Sequence, residues 1–128
     1  MVLDKNSIVI GHSLGPAFLL HILERLNNPI KAAFFVAGFT GLLGNTTFDR
    51  LNKTFVTKSF DWNRIRNNCQ KFYVINSNND PYVSIEKGNN LAENLGVKLS
   101  ILKNAGHINE QAGYITFDLL LEKVKKEL

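Results

Sequence analysis

The chain has 128 residues, 45% of them hydrophobic and 20% charged, which suits a single globular domain over residues 1–128 and argues against disorder. Its net charge of +4 comes from scattered Lys and Arg plus Lys123, Lys125 and Lys126, with no basic stripe interleaved with aromatics, so nucleic acid is not expected as a partner. No apolar run approaches the roughly 20 residues that span a bilayer, and MVLDKNSIVI does not read as a signal peptide, so no membrane partner is expected either.

The first predicted element is Ser7 to Ile10, a β-branched run ending at Gly11 that reads as a buried parallel strand. Leu14 to Leu26 follows with apolar residues at spacings of three and four, and Pro16 is tolerated in its first turn; this predicts a helix. Asn27-Asn28-Pro29 stops it. Lys31 to Val36 predicts a second strand. Residues 37–60 lack a clean period and predict a loop region with one short helix around Phe48 to Lys53. Asp61 is placed to cap a helix from Trp62 to Asn68. Lys71 to Ile75 predicts a third strand and Asn76 to Asp80 a polar loop closed by Pro81. Ile85 to Leu95 predicts a helix ending at Gly96. Val97 to Leu102 predicts a fourth strand, Asn104 to Gly106 a turn, and Ile115 to Leu128 a final amphipathic helix with lysines in its last turn. Alternating strands and helices imply an α/β fold, a parallel sheet with helices on both faces. In such sheets the working site lies beyond the carboxyl ends of the strands.

Three candidate residues fall at strand ends. Ser13 lies in Gly11-His12-Ser13-Leu14-Gly15, a G-x-S-x-G pattern between a strand and a helix. Asp80 follows strand three and His107 follows strand four. A serine hydroxyl is a weak nucleophile and needs a base within hydrogen-bond reach. His107 can be that base, and Asp80 can hold its other ring nitrogen. Gly11 and Gly15 are expected to permit the sharp turn and a close backbone approach, and the Leu14 N–H to face a developing oxyanion. His12 is expected to pack or hydrogen-bond inside this elbow, and His21 to lie on the surface or against a helix. Asp49, Asp61 and Asp118 do not follow strands directly, which leaves Asp80 as the acid. Phe48, Phe55, Phe60 and Trp62 are expected either to wall the site or to pack in a core under the loop. The lone cysteine, Cys69, excludes an intrachain disulfide and reads as a structural thiol in a reducing, cytoplasmic setting. There is no metal-ligand spacing, phosphate loop or dinucleotide fingerprint, so the expectation is no cofactor and no metal.

The segments IVIGHSLG, AAFFVAGFT, SFDWNRIRNNCQKFYVINSNNDPYV and ILKNAGHIN resemble, in this order, the small α/β-hydrolases of the retinoblastoma-binding protein nine and YdeN type. The Asp61-Trp62 block followed by Asn68-Cys69 is more specific than GHSLG alone. The resemblance implies an α/β-hydrolase fold and a triad of Ser13, Asp80 and His107. Asn79 stands where the family often has a second acidic residue. The resemblance also implies a chain lacking the N-terminal third, with four strands remaining from six and without the loop that normally gives a second oxyanion N–H. Loss of one such donor costs about 10²–10³ in rate. The first strand would then be an exposed edge, and a homodimer along it is expected. The function expected is hydrolysis of a carboxylic ester, amide or thioester of a small-molecule or peptide acyl substrate. The alternative is a weak or inactive protein-binding module on the same fold, which would be indifferent to loss of Ser13 or His107.

Overall fold

A computed structural model describes residues 2–128. Four strands, β1 (Ile8–His12), β2 (Ile30–Val36), β3 (Cys69–Ser77) and β4 (Leu99–Leu102), pair in parallel in the order β1-β2-β3-β4. A parallel strand cannot return by a tight hairpin, so helices cross over between neighbours: α1 (Gly15–Arg25), then α2 (Thr46–Val56) and α3 (Trp62–Asn67), then α4 (Ile85–Leu95). Crossovers of one hand between strands laid down in sequence order fall on one face of the sheet. That face holds the larger core, where Leu20, Leu23, Ile65, Leu91 and Leu95 pack on Ala33, Phe35 and Val74. The last helix, α5 (Asp118–Glu127), covers the other face with Leu120 near Val36 and Ile75. Helices on both faces and an all-parallel sheet agree with the alternation of the sequence.

The differences lie at element ends. α2 runs over Thr46–Val56, well beyond the short helix expected, because Asn45 caps it by accepting from the Thr47 and Phe48 N–H groups and Asp49 turns back to the N–H groups of Leu43 and Gly44. The final helix begins at Asp118 rather than Ile115; a 3-10 turn over Glu110–Ala112, capped by Asn109, ends at Gly113 (φ 91°), and the chain through Ile115 and Phe117 is still turning or extended. β3 extends to Ser77, so Asn76 and Ser77 belong to the sheet and are buried. Asp61 caps α3 through the Arg64 N–H, and Gly96 ends α4 at φ 71°, both as the sequence predicts.

Candidate active site

The strand-to-helix turn after β1 is tight. A Cβ on Gly11 would lie 2.8 Å from the Gly15 carbonyl carbon and from the Pro16 nitrogen, so no other residue fits there without backbone movement. Gly15 behaves differently from expectation: nothing lies within 4 Å of a Cβ placed on it. The close approach that the motif implied is made by Gly11 alone. Ser13 sits at the apex with φ 61°, a left-handed conformation that costs a non-glycine residue about 1–3 kcal/mol. Its own N–H is held by the Val36 carbonyl at 2.9 Å. Leu14 precedes the first residue of α1, so its N–H belongs to the donors a helix leaves free at its start.

The structure brings Ser13, Asp80 and His107 together. His107 Nδ1 lies 2.8 Å from Asp80 Oδ2, and His107 Nε2 lies 3.0 Å from Ser13 Oγ. A carboxylate only accepts, so Nδ1 carries the proton and Nε2 is left to accept from the Ser13 hydroxyl. The other Asp80 oxygen accepts from the N–H groups of Tyr82 and Val83 at 2.8 and 3.0 Å. The Asp80 side chain is fully buried, while 11% of the His107 side chain reaches solvent. The acid is thus fixed and enclosed, and the imidazole keeps one edge open to a substrate.

The loop bearing His107 is bent by left-handed residues, Asn104 at φ 55°, Gly106 at 55° and Ile108 at 52°. Its N–H groups are taken up one after another by side chains from the end of β3. Asn78 Oδ1 accepts from Asn104 N–H at 2.7 Å, Ser77 Oγ from Ala105 N–H at 3.0 Å, and Asn79 Oδ1 from Gly106 N–H at 2.8 Å. Ser77 in turn donates to Asn79 Oδ1 at 2.8 Å. His12 donates from Nε2 to the His107 carbonyl at 2.8 Å, so its role in the elbow is to hold the base from below. Sequence reading missed Ser77, Asn78 and Asn79 as supports; their signal was the run of short polar side chains just before Asp80.

A cavity of about 310 Å³ opens on Ser13 and His107, walled by Phe39, Leu43, Phe48, Asn52 and Tyr82. Of the aromatics named from the sequence, Phe48 lines it. Phe55 and Phe60 instead pack edge-on against His21, and Trp62 packs against Phe60. His21 also donates to the Phe55 carbonyl at 3.0 Å. Tyr82 is an addition, two residues past Asp80 and edge-on to both Phe48 and His107. Burial pushes the Cys69 thiol up to about 11, which makes it a core residue and no nucleophile.

The sequence matches the family described as serine hydrolase over residues 2–126. This chain belongs to the serine hydrolase family. The YdeN hydrolase of Bacillus subtilis (strain 168) is 29% identical over 131 residues, covering 98% of this chain and 67% of YdeN. The serine hydrolase RBBP9 of Rattus norvegicus is 27% identical over 104 residues, covering 81% of this chain and 54% of RBBP9, so the chain spans little more than half of that relative. The crystal structure of the Bacillus subtilis ydeN gene product superposes with a TM-score of 0.89 at 26% identity, over 98% of this chain and 67% of that one. The four-stranded parallel sheet and its helices are of the α/β-hydrolase type. As in that fold, Ser13, Asp80 and His107 follow strands in the chain order Ser, Asp, His.

Proposed function

We propose that the chain hydrolyses a carboxylic ester, amide or thioester through an acyl-enzyme on Ser13. The observation that carries this is the unbroken line Ser13 Oγ, His107 Nε2, His107 Nδ1, Asp80 Oδ2, at 3.0 and 2.8 Å. His107 takes the hydroxyl proton as Ser13 Oγ bonds to the carbonyl carbon. The tetrahedral oxyanion lies against the Leu14 N–H at the start of α1. When the C–O, C–N or C–S bond breaks, His107 returns that proton to the leaving group. Water then enters, His107 takes a proton from it, and the acid is released as Ser13 recovers its own. Asp80 holds the imidazole in the one tautomer that can do this.

The left-handed φ of Ser13 supports the catalytic reading, since backbone strain of this kind gathers at active sites. The single buried thiol supports a reducing, cytoplasmic location. Trapping tests the reaction. An activated ester is mixed with the protein, quenched in acid and digested. The acyl mass is expected on the peptide bearing Ser13, and acylation of another residue instead would remove Ser13 as the nucleophile.

A further inference from the structure

His107 borders two clefts, and only one of them is bordered by Ser13. The larger, about 310 Å³, is bordered by Ser13 and His107 and has the apolar wall of Phe39, Leu43 and Phe48. The smaller, about 170 Å³, is bordered by His107, Asn109, Gln111 and Ala112 and not by Ser13. Tyr82 lines both. Its ring stands edge-on to His107, with centroids 5.1 Å apart and planes at 81°, and both residues border both clefts.

The chemistry of an acyl-enzyme tells the clefts apart. The acyl carbon stays bonded to Ser13 Oγ until water arrives, so the acyl group needs a space that Ser13 borders. The leaving atom must receive its proton from His107 Nε2 and then depart while the acyl group remains. It needs a space that His107 borders and the acyl group does not fill. We infer that the larger cleft is the acyl site and the smaller one the leaving-group site, an assignment that rests on the acyl-enzyme reading above.

A substrate class follows. Among the described residues no Lys, Arg, Asp or Glu lines the acyl cleft, so a charged acyl group would be desolvated without a partner. The acyl cleft, about 310 Å³, is larger than the leaving-group cleft, about 170 Å³. The substrate is therefore an uncharged, largely apolar acyl group joined to a smaller alcohol, amine or thiol.

Acid release from two ester series tests the assignment. One varies the acyl group from acetate to dodecanoate on ethanol; the other varies the alcohol from methanol to decanol on butanoate. The wild type is expected to lose rate by about tenfold or more once either part outgrows its cleft. Phe48→Ala is expected to move the acyl cut-off to longer chains with the alcohol ranking kept. Ala112→Trp is expected to move the alcohol cut-off to smaller groups with the acyl optimum kept. Phe48→Leu serves in place of Phe48→Ala if thermal melting shows the latter unfolded. Phe48→Ala relaxing the alcohol series, or Ala112→Trp narrowing the acyl series, overturns the assignment. A wild type that reacts with a fluorophosphonate but shows no cut-off in either series overturns the assignment alone. A wild type that takes neither the fluorophosphonate nor any ester overturns the acyl-enzyme reading and the assignment with it.

Discussion

Gly11 and Gly15 flank Ser13 in one motif, yet their surroundings differ, and this makes a prediction for each. Gly11→Ala drives a Cβ into backbone and is expected to cost about 1–3 kcal/mol and to displace the nucleophile. Gly15→Ala meets open space and is expected to change stability by no more than about 0.5 kcal/mol. Thermal melts and fluorophosphonate labelling of the two variants check this; equal loss in both would contradict it. Asn79 is a positioning residue for His107, because its Oδ1 fixes the Gly106 N–H beside it. Asn79→Leu is expected to slow labelling by about 10- to 100-fold, as a small displacement of a base does, and Asn79→Asp, which keeps the acceptor, to restore it. A labelling rate that merely tracks the melting temperature in both variants would reduce Asn79 to a structural role. Ser13, Asp80 and His107 were legible because each residue type has one task and each follows a strand. Asn79 and Tyr82 were not, because a polar turn residue and an aromatic after proline look alike whether they support a site or merely face water.

At the scale of elements, α5 is tied to β3 by charge. Glu127 accepts from the Tyr73 hydroxyl and pairs with Lys71 at 3.2 Å. The Tyr73 hydrogen bond, aided by Lys71, lowers the Glu127 carboxyl below its ordinary 4.5. The same bond to Glu127, with burial, raises the Tyr73 hydroxyl from 10.0 to about 12. A lowered acid stabilises the fold above its unfolded value and loses that contribution as pH falls through the folded one; a raised phenol stabilises below its unfolded value and loses it as pH rises through the folded one. The melting temperature is therefore expected to fall below pH 4.5 and again between pH 10 and about 12, and Tyr73→Phe to flatten the alkaline fall. An unchanged alkaline limb in Tyr73→Phe would contradict this. The helix Ile85–Leu95 was legible to the residue because Gly96 marks its end. α2 was underestimated because it is fixed by side-chain bonds, Asn45 to its first turn and Asp49 back to Leu43 and Gly44, that leave no period in the sequence. The start of α5 was misplaced because Ile115 and Phe117 keep an apolar spacing while the backbone is still extended or turning.

For the molecule as a whole, β1 stands at one side of the four described strands, and Ile10 on it is 51% exposed. No helix among the described residues is long and apolar enough to cross a membrane. The parallel sheet sets Ser13, Asp80 and His107 on one rim, where we propose that they work as one nucleophilic system. The most direct measurement is intact-mass analysis after incubation with a fluorophosphonate, with Ser13→Ala and His107→Ala alongside. A single adduct is expected on the parent, none on Ser13→Ala, and labelling of His107→Ala slowed by about 10³-fold or more. A parent that takes no adduct, or a Ser13→Ala protein that takes one at the parent's rate, would contradict it.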